Sequence, residues 1–507
     1  MTDPIPLNGI SVFPQLSNEF IKKNYPSERV PISRRFENIS PVTWDFCKNA
    51  NVLHSEFRKS LARASSVYHL STDSPLDVNS DANEKKEYWK TYREERVFPS
   101  HLPAGQRVGA GGSVSTNKAG VNDKYYDNAN PSTCGWGQLS DVGWITMLKT
   151  GQYLRNLYVD KLSFLPQNPQ DIKDDELLFR TTDYSRAFES LHQVISGLYP
   201  IKKIDDLATK KKFNVLIRTI HNETLFLNYR CKNLKNQILK MHEKSLGIFK
   251  DEQKSVEKML YDSPNIGAEA HDILNTPNVP IQFHSVYDTL VALEAHNISV
   301  PPEISAEGVE RVGLLAAKQW SFSGVFNQQL GRLQFSPIGL DLVNNIVTKI
   351  DPNLHYKIFS DNDLLPVQKT PSFAIYSGHD TTIVPILGAL GYYRQDGTND
   401  PLKFLAVWPQ FGSMVSIELF KGPVLKEKNK NSEGTKKWPS TVPSDFNPDG
   451  YYVRSSFNGK PIAVPKCSES GNHDPDMGPT MCTLDAFLQQ LGPLVETTQE
   501  WKTECRA

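Results

Sequence analysis

The stretch Ala374-Ile375-Tyr376-Ser377-Gly378-His379-Asp380-Thr381-Thr382 constrains the fold more than any other in the chain. A short apolar strand ends in Ser-Gly. A His-Asp pair follows at once, then two hydroxyls, then an apolar run from Ile383 to Leu390. Strand, glycine turn and helix start together place an imidazole and a carboxyl at a strand's carboxyl end, where open α/β sheets keep their ligand sites. Taken alone, the pair also fits a plain glycine turn with Asp380 as a helix N-cap.

A second segment repeats the pattern. Leu177-Leu178-Phe179-Arg180-Thr181-Thr182-Asp183-Tyr184-Ser185-Arg186 is a strand running into a polar turn. The helix after it carries Phe188, Leu191, Ile195 and Leu198 on one face. Upstream, Gly135-Trp136-Gly137-Gln138-Leu139-Ser140 precedes a helix with Trp144, Met147, Leu148, Leu154 and Tyr158 at helical spacing. In this order and at these separations, the blocks resemble the histidine acid phosphatases. That family shows Gly-Gln-Leu-Thr, Arg-Ser-Thr-Asp-x-x-Arg and Ser-Gly-His-Asp-Thr-Thr. Tyr452-Val453-Arg454, Asn458-Gly459 and Cys467, Cys482 and Cys505 are similar to its carboxyl-terminal hairpin and cysteine set.

The resemblance implies an α/β fold: a three-layer core with a mainly parallel central sheet, plus an inserted helical domain. It implies that Asp380 gives a proton to the leaving alcohol of a phosphate monoester and that His379 donates to a phosphate oxygen. It also implies that Arg29 and Arg186 hold the phosphate, with no metal and no cofactor. Arg180 is expected to support the core rather than the phosphate.

The departure lies near the amino end. The family's signature is Arg-His-Gly-x-Arg-x-Pro, whose His becomes phosphorylated. No Arg-His-Gly occurs in this sequence. The best match is Tyr25-Pro26-Ser27-Glu28-Arg29-Val30-Pro31, with Pro26 at the nucleophile position. Proline has no nucleophilic side-chain atom and no backbone N–H. Tyr25 cannot replace the planar bidentate guanidinium that arginine offers to phosphate. Ser17 to Asn24 is polar and does not read as a buried strand. Two expectations follow: a degenerate relative that keeps an oxyanion pocket and loses turnover, or an active acid phosphatase whose beginning is mispredicted here. A third reading, binding of a phosphorylated sugar or inositol phosphate, follows from the family's phytase and phosphoxylose phosphatase members.

Charge excludes other classes. Across 507 residues, 56 Lys and Arg meet 57 Asp and Glu, so no basic excess points to nucleic acid. No apolar run is long enough for a transmembrane helix. Met1 to Lys22 does not read as a secretory signal. The six cysteines have no metal-ligand spacing, and the resemblance implies disulfides. With sequons at Asn38, Asn222 and Asn297, they favour an oxidising compartment.

The expected organisation is an α/β core at 25–200 and 360–507, a polar insertion at about 65–134, and a helical domain at 201–359. In the insertion, Lys85 to Arg96 reads as a charged helix. Within the helical part, Phe283, Val286, Tyr287 and Leu290 share a face, as do Leu342, Val343, Ile346 and Ile350, and Ser305 can cap a helix. Phe373 to Tyr376, Phe404 to Trp408 and Met414 to Phe420 read as strands. Tyr451 to Ser456 and Pro461 to Val464 read as a hairpin on Asn458-Gly459.

Overall fold

The computed structural model describes residues 139, 141–173, 176–182, 184–200, 213, 215–218, 223–228, 231–262, 283–295, 304–354, 371–394, 407–425 and 438–506. The expectations for Ser17 to Asn24, for Tyr25 to Pro31 with Pro26 and Arg29, for the 65–134 insertion with its helix at Lys85 to Arg96, for the three sequons and for Cys47 and Cys134 lie outside these residues. So does the Gly135 block except Leu139.

In chain order the elements begin with α1 (Asp141–Leu154), which continues into π-helical turns at Arg155–Lys161, then β1 (Leu177–Thr181), α2 (Ser185–Leu198) and β2 (Val215–Ile217). The helical stretch is α3 (Lys232–Ile248), α4 (Lys250–Tyr261), α5 (Phe283–Ala295), α6 (Ala306–Phe326) and α7 (Gln328–Ile350). The chain returns through β3 (Phe373–Ser377), α8 (Asp380–Ala389), β4 (Val415–Lys421), β5 (Tyr451–Phe457) and β6 (Lys460–Ile462). It ends in β7 (His473–Asp474), β8 (Gly478–Thr483), α9 (Leu484–Leu491) and α10 (Thr498–Arg506).

β2, β1 and β3 form a parallel sheet in that order, with Thr181 opposite both Ile217 and Ser377. A second, antiparallel sheet runs β4-β5-β8-β7, with β6 paired to β5. Among the described residues the fold is thus α/β, with a parallel sheet and a helical stretch between β2 and β3. The helical reading of 201–359 missed β2. Its three residues are too few to show a period, and pairing with β1 rather than local pattern makes them a strand.

The expected helix faces are the buried ones. Leu191 and Leu198 of α2 are sealed, as are Phe283, Val286 and Leu290 of α5 and Val343 of α7. Burying such a side chain contributes about 1.5–3 kcal/mol. α1 and α2 cross with their backbones almost touching: a Cβ on Gly151 would lie 2.1 Å from the Val194 carbonyl oxygen, and one on Gly197 would lie 2.2 Å from that of Leu148. Ser305 caps α6, its Oγ accepting from the Gly308 N–H at 3.1 Å. Asn458 and Gly459, with φ of 49° and 78°, make the two-residue turn between β5 and β6. The strand expected through Trp408 is absent at Val407 and Trp408. Trp408 instead packs its ring against His284 and Trp320. Disulfides join Cys231 to Cys505 and Cys467 to Cys482. No described helix is long and apolar enough to cross a membrane.

Candidate active site

Parallel pairing puts the carboxyl ends of β1 and β3 on one edge. Thr181 faces Ser377 across the ladder, and the Thr182 N–H donates to the Ser377 carbonyl at 3.4 Å. The chain leaves both strands into a helix start. Arg186 therefore stands in the first turn of α2, beside His379 and Asp380 at the start of α8. His379, not Asp380, is the N-cap of α8. Its N–H donates to Thr382 Oγ1 at 3.1 Å, and that hydroxyl donates in turn to the Leu225 carbonyl. Two helix N-termini thus open onto one spot, which favours an anion there.

The His379 ring is fixed on every side. Nε2 lies 3.0 Å from Thr182 Oγ1, and Nδ1 lies 3.5 Å from Arg186 Nη2. Tyr184 and Phe226 meet the ring edge to face at 4.9 and 5.3 Å. A guanidinium can only donate, so the geometry assigns the lone pair to Nδ1 and the proton to Nε2, facing Thr182. Burial, and then the charge of Arg186, push the imidazole down to about 3, so it is neutral across ordinary acid pH. Arg186 lies over the Tyr184 ring at 4.8 Å, and it makes no ion pair among the described residues.

Asp380 is deep in the fold yet keeps part of its surface open. Burial raises its carboxyl above the ordinary value, against backbone hydrogen bonds and Arg186. A carboxyl that holds its proton more tightly than an ordinary aspartate is suited to general-acid work.

Beneath the site lies a second charged cluster. Arg180 donates to Asp341 at 2.6 Å and to Glu223 and Thr224, while Arg218 donates to both Asp341 oxygens at 2.9 and 3.1 Å. Burial alone would raise the Asp341 carboxyl, but Arg218 and Arg180 hold it down at about 2. Arg180 thus supports the core, tying β1 to α7 and to the segment after β2. The structure brings His379, Asp380 and Arg186 together. Arg29 and Pro26 lie outside the described residues. Sequence reading did not single out Asp288 of α5, whose carboxyl burial, and then the charge of Asp380, push well above the ordinary value. One aspartate on an ordinary amphipathic helix carries no local signal. Among the described residues no cluster of His, Cys, Asp and Glu is arranged to hold a metal ion.

Residues 43–458 match the family described as the histidine phosphatase superfamily (branch 2). The chain belongs to that family. The matched span begins beyond Tyr25 to Pro31. A probable acid phosphatase of Schizosaccharomyces pombe is 24% identical over 410 residues, covering 75% of this chain and 79% of its own length. Lysophosphatidic acid phosphatase type 6 of Mus musculus is 22% identical over 383 residues, covering 73% and 70%. A solved phytase from Citrobacter braakii superposes with a TM-score of 0.47 at 15% identity, covering 76% of this chain and 95% of the phytase.

Proposed function

We propose that the pocket at the carboxyl ends of β1 and β3 binds the oxyanion of a phosphate monoester, and that the chain as written turns it over slowly or not at all. The observation that supports binding is the meeting of Arg186, neutral His379 and proton-retaining Asp380 in one partly open site. Arg186 supplies charge, the α2 and α8 N-termini supply N–H dipoles, and Asp380 supplies the proton for a leaving alcohol. Arg29, on the surviving half of the first motif, is the second expected phosphate ligand.

The reading of impaired turnover rests on Pro26 at the position where the family carries its nucleophile. Without that imidazole the two-step covalent route is closed. A water held by the remaining groups leaves residual rate, since units that act together lose most of their power when one member is removed. The purified 507-residue protein, assayed with a chromogenic aryl phosphate at acid pH, is expected to run at least about a hundredfold below an active family member. A rate within about tenfold of that relative defeats this reading. It would establish the second one, an active acid phosphatase, which the intact acid half of the site and the curated phosphatase relatives favour.

A further inference from the structure

Thr182 is the residue just beyond β1, and it is 1% exposed. Its backbone is held from both sides. The N–H donates to the Ser377 carbonyl of β3, and the carbonyl accepts from Thr181 Oγ1 at 3.2 Å. Ser377 is fixed in turn, its Oγ donating to the Ala187 carbonyl of α2 at 2.8 Å. The Thr182 hydroxyl is thus delivered to one place, 3.0 Å from His379 Nε2. Branching at Cβ adds to this, because it leaves threonine few side-chain rotamers.

The other contacts of His379 fix where its ring sits. Thr382 pins the main chain, and Tyr184 and Phe226 meet the ring edge to face. An aromatic neighbour packs as well against a ring carbon as against a ring nitrogen, whereas a hydroxyl tells them apart. With Nε2 turned to Thr182, Nδ1 faces Arg186 Nη2 at 3.5 Å. A guanidinium only donates, so Nδ1 accepts and Nε2 carries the proton toward Thr182. A hydroxyl suits that place better than a carboxylate. It accepts from the ring and brings no charge, so it orients the imidazole without drawing a second proton onto it.

We propose that Thr182 is a positioning residue of the oxyanion site: its hydroxyl turns the His379 ring so that Nδ1 faces Arg186 and steadies the guanidinium for an incoming anion. Thr182 acts through His379 and needs no contact with the ligand. The effect on phosphate rests on the binding reading above, whereas the orientation of the ring does not.

The test has two arms on the full chain. Nitrogen NMR of the labelled, ligand-free protein reads which ring nitrogen holds the proton, with the His379 signals assigned by their loss in His379→Gln. Wild type and Thr182→Ser should hold it on Nε2 from pH 5 to pH 8, and Thr182→Val should populate both tautomers. A proton on Nδ1 in wild type, or one and the same tautomer in all three proteins, overturns the proposal. Should Thr182→Val not fold, Thr182→Ala enters the same comparison.

The second arm titrates inorganic phosphate and follows the melting temperature. Thr182→Ser should bind as wild type does, and Thr182→Val should lose on the order of fivefold in affinity. In a His379→Gln background Thr182→Val should cost no further affinity, because the ring it acts through is gone. Equal affinity in Thr182→Val and wild type, or additive losses in the double variant, overturns the positioning role. A threonine that served packing alone would lower the melting temperature and move neither the tautomer nor the affinity. No phosphate shift in wild type overturns the phosphate reading itself, and the NMR arm still decides the ring.

Discussion

Arg180 within β1 and Arg186 in the first turn of α2 are six residues apart and meet opposite surroundings. Arg180 is 1% exposed and donates to two carboxylates and a hydroxyl. Arg186 is half-buried, rests on a tyrosine ring and, among the described residues, has an imidazole nitrogen at 3.5 Å as its hydrogen-bond partner. A buried cation whose terminal nitrogens are taken up by protein acceptors, and whose Nε is sealed from solvent, offers no donor to a ligand. One held in place by weak contacts keeps its donors in reserve. Burial among carboxylate partners, not residue type, separates the scaffold arginine from the candidate site arginine.

The largest expected effect tests the scaffold side. Arg180→Ala leaves Asp341 and Glu223 buried without their cation and should cost about 3–5 kcal/mol in chemical denaturation. A loss below about 1 kcal/mol would erase the contrast between the two arginines.

Next come two pH windows that sharpen it. Asp341 is held at about 2 in the folded protein and returns to about 3.9 when unfolded. Its stabilising contribution is therefore present above pH ~4 and lost as pH falls toward 2, on the order of 2 kcal/mol. His379 is held neutral down to about 3, while the unfolded imidazole takes a proton near ~6.5. The stability tied to His379 is therefore full above ~6.5 and drains away as pH falls from there toward 3. Unfolding midpoints from pH 8 to pH 2 should show Asp341→Asn flattening the lower window and His379→Gln the upper one. If both variants act in the same window, the two clusters are not independent.

The smallest stability effect belongs to Arg186→Ala, expected within about 1 kcal/mol of wild type because no ion pair is broken among the described residues. The same variant should lose the rise in melting temperature that phosphate or tungstate gives wild type. An unchanged ligand shift would remove Arg186 from the site.

What could be read in advance followed local pattern. The blocks around Arg186 and His379 announce themselves as strand, turn and helix start, because each piece obeys its own period. The faces of α5 and α7 and the Asn458-Gly459 turn are legible for the same reason. β2 is not, since three residues become a strand only by pairing with β1. Trp408 follows a strand-like run but is placed by the rings of His284 and Trp320. Arg218, Glu223 and Asp341 reveal their roles only when the fold brings them under Arg180.

The bond between Cys231 and Cys505 closes a covalent ring across 274 residues of sequence. Asp288, His379 and Asp380 travel inside that ring, while Arg186 enters from the free chain ahead of it. The segment with His379 and Asp380 is thus tethered to itself even in the unfolded chain, whereas Arg186 must find it. In the chain-entropy account, a ring of this size removes on the order of 5 kcal/mol of disorder from the unfolded state. That advantage falls on the segment that carries His379 and Asp380, not on the one that carries Arg186.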